Sequence, residues 1–256
     1  MTPRFWRARP ARRGVALILV LWLLVVLGGI GVAVVGSTRD ASRLAANERA
    51  RVGARYATES GIEATAALID DSLRVIPEGE ERDAFLNSLP DLFSAGDSTI
   101  LGDERFSVAI VDAGARLDVN AAPEPNLARL LGYFTDAERA RTMARLIRRK
   151  IEGAGQHIVR PLRSLEELRT IEGMDAEVLQ LAAPYLTVDG DGTINTASAS
   201  DTVRSAAFGE LRVAPSRLVL VARGWTRGHP LTHEIQAVYA VASDRLVLVG
   251  WRERIL

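Results

Sequence analysis

The chain has 256 residues, 32 basic and 32 acidic side chains, and no cysteine, which excludes disulfides, zinc–thiolate sites and cysteine nucleophiles. The charge is uneven, because residues 1–35 carry five Arg and no acid and therefore leave 27 basic against 32 acidic side chains in residues 36–256. A body with this small acidic excess is a poor electrostatic partner for nucleic acid.

An uncharged run of 21 residues, 15–35, follows Arg12, Arg13 and Gly14. At ~1.5 Å per residue, a helix of this length spans roughly 31 Å, close to the ~30 Å hydrocarbon core of a bilayer. A secretory signal has a shorter apolar region of about 7–15 residues, although the Arg pair keeps a twin-arginine signal as an alternative. The run is predicted to be a retained, single membrane span. Arg residues flank both ends in similar number, so charge alone does not set its orientation.

Residues 37–71 are rich in Ala, Arg and Glu and contain no Pro, so we expect them to continue the same helix as far as Pro77. The apolar spacing predicts two packing stripes whose direction changes near Gly61. The residues of these stripes are Ala41, Ala45, Val52 and Tyr56 in the first, and Ile62, Ala66, Ile69 and Leu73 in the second.

Alternating apolar residues predict strands near both ends of the body. Phe106, Val108 and Ile110 indicate one strand, and a turn at 112–114 leads to a second that ends near Val119. Three further strands are expected at 218–225, 231–241 and 246–251. We expect these strands to form one antiparallel sheet against the long helix.

Residues 121–208, between the strands, are predicted to be helical. Thr135 and Ser164 each precede a Glu by three residues, the spacing of a capping box. A core-facing stripe is expected at Met143, Leu146, Ile147 and Ile151. The segments 119–122 (VNAA) and 194–197 (INTA) resemble each other and suggest two related helical hairpins.

The predicted fold class is therefore α+β, with a long N-terminal helix packed on an antiparallel sheet and a large all-α domain inserted between the strands. The predicted divisions are a leader (1–14), a membrane-spanning part of the helix (15–35), a polar part of the same helix (36–76), a split α+β domain (77–120 and 209–256) and the inserted domain (121–208).

Asp189, Asp191 and Asn195 lie in a Gly-rich loop, where oxygen ligands on alternate residues suit calcium. No downstream Glu stands in EF-hand register, so a solvated turn is the competing interpretation. His229 and His233 have a metal-ligand spacing only on a helix, and Pro230 places them on a turn and a strand.

Residues 165–174 (LEELRTIEGM) resemble a helix-hairpin-helix, a module that holds DNA backbones. Asp175 stands where the DNA-binding form usually has a second Gly, and residues 161–188 carry two basic and five acidic side chains. The segment is therefore interpreted as a structural hairpin with Asp175 as a helix N-cap, and no nucleic-acid partner is expected. Nucleophile-elbow and phosphate-binding glycine motifs are absent from the sequence, so no enzymatic activity is expected.

The N-terminus resembles the type IV prepilin class, in which an Arg-rich leader and a Gly precede an apolar helix. The resemblance implies that a membrane aspartyl peptidase cuts after Gly14 and methylates the new amine of Val15. It also implies a single-pass inner-membrane protein with a cytoplasmic N-terminus and a periplasmic body. Most members of the class have Glu at the fifth mature position, which here is Leu19.

The missing Glu, the anchor that begins Val15-Ala16-Leu17, and the NAA and INTA segments resemble the minor pseudopilin K family of type II secretion. This resemblance implies a subunit at the tip of a periplasmic pseudopilus. Its implied partners are the minor pseudopilins I and J, the prepilin peptidase, the inner-membrane secretion platform and the lipid bilayer. Calcium sites are known in that family. A minor pilin of a related type IV pilus and a membrane-tethered DNA-binding protein are the alternatives.

Overall fold

The computed structural model describes residues 13–94, 96–153, 159–207 and 211–256. The chain forms two compact units, residues 1–50 and 51–256. Helix α1 (Arg13–Val75) has 63 residues and contributes to both. In the described part of the chain, α1 is the one helix long and apolar enough to cross a membrane, with a mean hydropathy of 2.9 in its most apolar window.

The part of α1 in the second unit buries a narrow stripe. Ile62, Ile69 and Leu73 are buried, which confirms the second predicted stripe. The first predicted stripe is wrong, because Ala41, Ala45, Val52 and Tyr56 are all exposed. Small residues one or two positions further along the helix are buried instead, namely Ala54, Ala57 and Thr58. The helix lies so close to the sheet here that only small side chains fit.

The described residues form nine strands, which are β1 (Thr99–Leu101), β2 (Glu104–Asp112), β3 (Leu117–Asp118), β4 (Leu186–Thr187), β5 (Ile194–Asn195), β6 (Leu211–Arg212), β7 (Arg217–Thr226), β8 (Thr232–Val241) and β9 (Leu246–Ile255). Five of them form one antiparallel sheet in the order β1-β2-β7-β8-β9. Because β2 pairs with β7, the sheet joins chain segments on both sides of the insert, as predicted.

One face of this sheet packs on α1 and on α2 (Glu80–Leu92). Val108 and Ile110 of β2, Leu218 and Leu220 of β7, and Ile235 of β8 are buried in this core. The alternation that predicted strands therefore corresponds to the face turned toward the helix.

The part of the insert that the structure describes contains four α-helices, α3 (Glu124–Leu131), α4 (Ala137–Glu152), α5 (Ala176–Ala182) and α6 (Asp201–Ala206). Short 3₁₀ helices occur at Ala113–Ala115, Leu165–Thr170 and Ala183–Tyr185. The four α-helices and the 3₁₀ helices at Leu165–Thr170 and Ala183–Tyr185 share a second core cluster, which begins at Leu117 and ends at Ala206.

The insert is not purely helical. The strand expected near Val119 is the two-residue β3, which pairs in parallel with β4 outside the main sheet. A second parallel pair joins β5 and β6. The segment that enters the helical region, β3, and the segment that leaves it, β6, therefore each pair with a strand inside the insert.

Two details of the helical region concern its caps and its packing stripe. Asp136 and not Thr135 caps α4, because its carboxylate accepts a hydrogen bond from the Arg139 N–H at 2.9 Å. Ser164 does begin a capping box, with the Glu167 carboxylate accepting from the Ser164 N–H at 3.2 Å, but the element that follows is 3₁₀. The stripe on α4 is confirmed, with Met143 and Ile147 fully buried.

Candidate functional site

The predicted cleavage site lies at the start of α1. Gly14 and Val15 both have helical backbone, one and two residues after the helix begins at Arg13, and residues 1–12 lie outside the described residues. Leu19 is exposed, as are all the apolar residues from Leu17 to Val35. Cleavage after Gly14 and methylation of Val15 stay predictions.

The end of the apolar segment is marked by hydroxyl groups that bond within the helix. The Ser37 and Thr38 hydroxyls both donate to the Val34 carbonyl, at 3.0 and 2.8 Å, and the Ser42 hydroxyl donates to Thr38 at 2.9 Å. Because each hydroxyl is satisfied by the helix itself, this stretch is compatible with passage from hydrocarbon to water.

The loop between β4 and β5 carries Asp189 and Asp191, two of the three predicted calcium ligands, and both carboxylates accept hydrogen bonds from other residues. The Asp189 carboxylate accepts from the Arg252 guanidinium at 2.6 Å. Asp191 accepts from the Thr193 N–H at 3.0 Å, the Thr193 hydroxyl at 2.7 Å and the Ser216 hydroxyl at 3.0 Å. Burial alone would raise the pKa of Asp191, but these hydrogen bonds outweigh it and lower the pKa.

Asn195 is fully buried, and its side chain links separate elements by hydrogen bonds. Its amide donates to the Asn87 side chain and to the Asp112 carboxylate, both at 2.7 Å, and its carbonyl oxygen accepts from the Ala197 N–H at 3.1 Å. Asp112 also holds the Gly114 N–H at 2.8 Å. Asn195 therefore ties α2 and the end of β2 to the insert.

All three predicted calcium ligands thus already have protein partners. The described residues contain no group of three or more His, Cys, Asp or Glu side chains placed to hold a metal. A calcium ion at this loop would have to exchange these partners, Arg252 first. The donor set does not form a ready calcium site, and calcium binding at Asp189, Asp191 and Asn195 stays a prediction.

A buried carboxylate that the sequence analysis did not single out lies beside this loop. Asp118 in β3 is 4% exposed, and burial raises its pKa to about 6, against the opposing effects of the Asn120 N–H and the Arg217 charge. The Asp189 and Asp191 charges raise its pKa further. The signal was an acid between the two apolar residues Leu117 and Val119.

The two Asn residues of the VNAA and INTA segments play similar parts. The Asn120 amide donates to the Leu162 and Val188 carbonyls at 3.0 and 3.2 Å, and its oxygen accepts from the Leu162 N–H at 2.7 Å. Each Asn follows or ends a two-residue parallel strand and fastens distant segments by its side chain. The two similar sequence segments therefore have a similar structural role, in which a buried or half-buried Asn side chain links distant parts of the chain by hydrogen bonds.

The segment that resembles a helix-hairpin-helix makes hydrogen bonds within the chain. The Arg139 guanidinium donates to the Gly173 carbonyl at 2.9 Å and to the Asp175 carboxylate at 2.7 Å. The Met174 N–H donates to the Ile171 carbonyl at 3.0 Å, so this turn amide is not turned outward to a phosphate. Asp175 accepts from the Val178 N–H at 2.8 Å, which confirms it as the N-cap of α5.

His229 and His233 have different surroundings. The His229 Nδ1 accepts from the Leu231 N–H at 3.3 Å on the turn. His233 is buried in β8, with Nε2 3.3 Å from the Glu253 carboxylate, and no described residue is a hydrogen-bond partner of Nδ1.

The face of the sheet that is turned away from α1 carries a line of charges across β7, β8 and β9. The Glu234 carboxylate is 1% exposed and accepts from Arg223 at 2.7 Å, Arg254 at 2.9 Å and Gln236 at 3.0 Å. Burial alone would raise the pKa of Glu234, but these donors outweigh it and lower the pKa. Two Arg therefore share one acid on this face.

Comparisons with known proteins agree with the architecture. Residues 13–63 match the family model described as PilX N-terminal. A chain in the crystal structure of the GspK-GspI-GspJ complex, from the type 2 secretion system of enterotoxigenic Escherichia coli, has a similar fold with a TM-score of 0.51. The sequence identity is 14%, over 77% of this chain and 96% of that chain. Comparison with curated proteins gives no match.

At this identity, the likeness establishes a shared fold. The long N-terminal helix, the antiparallel sheet and the α+β architecture are shared with that chain, and the predicted fold class is confirmed.

Proposed function

We propose that this chain is a minor pseudopilin of a type II secretion system, located at the tip of the periplasmic pseudopilus. Its work is assembly and not catalysis. The observation that carries the proposal is α1, a single helix whose first part can span a membrane and whose second part forms the core of a pilin-like body. The fold shared with a chain of the GspK-GspI-GspJ complex supports association with two smaller minor pseudopilins of the I and J kind.

The proposed mechanism begins in the inner membrane, with the N-terminus cytoplasmic and the body periplasmic. The prepilin peptidase removes residues 1–14 and methylates Val15. The secretion platform then draws the apolar helix from lipid into the filament, where contacts with neighbouring helices replace lipid.

Two features of the chain support the proposed place at the tip. A buried carboxylate without a partner is costly, so a subunit with no neighbour above it gains from Leu19 in the position where most pilin-like chains have Glu. The insert, with four helices and its own core cluster, adds bulk that would obstruct a further subunit on that side.

Mass spectrometry of the protein purified from its native membrane tests the first step. We expect a mature chain that begins with methylated Val15. An intact Met1, or a terminus at another residue, would contradict the proposal.

A minor pilin of a type IV pilus is a second candidate, favoured by the match of residues 13–63 to the PilX N-terminal family. The two are separated by deleting the gene and measuring protein export and surface pili in the same strain. Loss of export with normal pili supports the pseudopilin, and loss of pili with normal export supports the pilin.

A further inference from the structure

Strand β9 forms an open edge of the five-stranded sheet. It has ten residues, whereas β1 at the opposite edge has three. In the described part of the chain, β9 pairs with β8 alone. Edge strands of this length are usually protected by Lys, Pro or a covering element, because their unpaired main chain can bind another strand. β9 contains neither Lys nor Pro.

The main-chain groups that remain unpaired can be assigned from the ladder. The Leu256 N–H donates to the Thr232 carbonyl at 2.8 Å. Antiparallel ladders alternate between residues whose main chain faces the partner strand and residues whose main chain faces away. The N–H and carbonyl groups of Trp251, Glu253 and Ile255 therefore point outward from the sheet.

A β-bulge at Val249 interrupts the edge, because Val238 pairs with Gly250 and Tyr239 pairs with Leu248. Such bulges can discourage pairing. Residues 250–255 are regular on the far side of this bulge, and they leave room for about six residues of an added strand.

The side chains of this regular stretch differ between the two faces. On the face toward α1, Trp251 is 41% exposed and Ile255 is 46% exposed. On the other face stand Arg252 and Arg254, which pair across β8 with Gln236 and Glu234. Glu253 stands between these two residues on the face toward α1, with its carboxylate 3.5 Å from Arg55 and 3.3 Å from His233. A strand added here would therefore meet Trp251 and Ile255 with one acid between them on one face, and Arg on the other.

The Arg face has a surplus of positive charge. Arg223 and Arg254 share the single acid Glu234. A cavity of about 390 Å³ between this face and the insert is lined by Arg116 and Arg163 and also by the acids Glu166 and Asp189, of which Asp189 is paired with Arg252. Five Arg (Arg116, Arg163, Arg223, Arg252 and Arg254) therefore stand against the three acids Glu166, Asp189 and Glu234 on this side of the sheet. The surplus favours an acidic occupant.

A second copy of this chain does not suit the edge. In an antiparallel pair, opposite residues share a face. Two β9 strands related by a two-fold axis near residues 252–254 would therefore place Arg252 or Arg254 opposite Arg of the other copy. Like charges in direct opposition destabilise a sheet.

We propose that β9 binds an extended segment of a different protein chain in which acidic and apolar residues alternate. The segment pairs as a sixth strand along residues 250–255. Its acidic side chains lie beside Arg252 and Arg254, and its apolar side chains lie beside Trp251 and Ile255. The inference goes beyond the proposed function, because it concerns binding by the purified chain and does not depend on processing at Gly14.

The test uses the full-length chain in detergent micelles and fluorescent seven-residue synthetic peptides. One peptide alternates Val and Glu, a second alternates Val and Lys, and a third is the Val–Glu peptide with alternate main-chain nitrogens methylated. We expect the Val–Glu peptide to bind at least about tenfold more tightly than either of the others, measured by fluorescence anisotropy. Amide hydrogen exchange should slow in residues 250–255 when this peptide is added.

Matched variants locate the site. Arg254→Gln should weaken Val–Glu binding by about fivefold, since it removes one cross-strand charge pair. Glu234 keeps Arg223 and Gln236 in this variant, and an unchanged Tm would show that the fold is intact. Arg105→Gln, on β2 near the opposite edge, should leave the affinity unchanged.

Equal binding of the Val–Lys or methylated peptide would overturn the proposal, as would unchanged affinity in Arg254→Gln. So would protection from exchange at β1 instead of β9, or no binding at peptide concentrations of about 1 mM. Self-association of the chain that the Val–Glu peptide abolishes would assign the edge to a second copy and reject a different partner.

Discussion

The Arg252 guanidinium in β9 donates to the Asp189 carboxylate in the loop between β4 and β5 over 2.6 Å. The same Arg donates to the Arg163 carbonyl at 2.9 Å. Arg252 therefore fastens two segments of the insert to the last strand of the sheet. Asp189 is 16% exposed and Arg252 is 37% exposed, so the pair is partly shielded from water.

A double-mutant cycle with Asp189→Asn and Arg252→Gln should give a coupling energy of about 1 kcal/mol in the free energy of unfolding. A fully buried pair would give more, but water screens Arg252. The control pair is Asp71 and Arg74 of α1, whose side chains are 78% and 57% exposed. Its coupling should stay below about 0.5 kcal/mol. Equal coupling in the two pairs would show that Arg252 does not join the insert to the sheet.

Asp118 should make the stability depend on pH. Its pKa rises from 3.8 to about 6 on folding, so between these values the folded chain keeps a proton that the unfolded chain has lost. Stability therefore falls as pH rises from about 4 to about 6, by roughly 3 kcal/mol. Asp118→Asn removes the ionisable group, and its gain in Tm over the natural chain should grow across this window.

The Asp191→Asn variant, in the loop beside Asp118, should show the opposite dependence of stability on pH. The pKa of Asp191 is lowered on folding, so its ionised form stabilises the fold above pH 4 or so and the benefit is lost in acid. The loss of Tm in this variant should therefore be largest near neutral pH. Parallel pH profiles for Asp118→Asn and Asp191→Asn would be inconsistent with the assigned surroundings of both carboxylates.

The approach of α1 to the sheet at Gly224 predicts a sensitive position. A Cβ atom at Gly224 would overlap the Ala54 carbonyl oxygen and the Thr58 hydroxyl, and it would lie 2.8 Å from the Thr58 nitrogen. Gly224→Ala should lower the free energy of unfolding by about 1–3 kcal/mol. Gly250→Ala is the control, because its Cβ would make only a 3.4 Å contact with Val238. Similar losses in the two variants would contradict the close helix–sheet contact.

The sequence predicted the long helix and the sheet well because their signals are local. An apolar run without charge, a continuation without Pro and period-two alternation depend only on neighbours in the chain. The stripe with Tyr56 was wrong because Ala54, Ala57 and Thr58 owe their burial to a close approach of β7, which is far away in sequence.

The partners of the buried acids could not be predicted either, because those partners are also distant in sequence. Alternation in β8 places Glu234 on the face away from the helix, where an exposed side chain would be expected. Its burial depends on Arg223 and Arg254, which the pairing of β7 and β9 brings to it. Asn195 was predicted as an oxygen ligand of calcium, whereas in the structure it is buried beside Asp112 and its amide donates a hydrogen bond to that carboxylate.

The calcium prediction can be tested by thermal unfolding. If the loop binds calcium, about 1 mM calcium should raise the Tm of the full-length chain. Because binding requires Arg252 to release Asp189, Arg252→Gln should enlarge this shift in Tm. Asp191→Asn should abolish it, and magnesium at the same concentration should have a smaller effect because Mg²⁺ demands a stricter geometry. The same Tm in calcium and in EDTA would reject the prediction.

Processing at Gly14 is the step on which the proposed assembly depends. Gly14→Leu places a bulky side chain at the bond to be cut, so the variant should keep residues 1–14 and accumulate in the membrane. A retained leader keeps five Arg at the end of the apolar helix, and their transfer into the filament core would leave buried charges without partners. We therefore expect secretion to fall to the level of the gene deletion.

Gly36→Leu, at the other end of the apolar run, should be processed normally, since a Cβ there meets no other atom within 4 Å. Normal export by an unprocessed Gly14→Leu chain would exclude a pseudopilin that works by leaving the membrane.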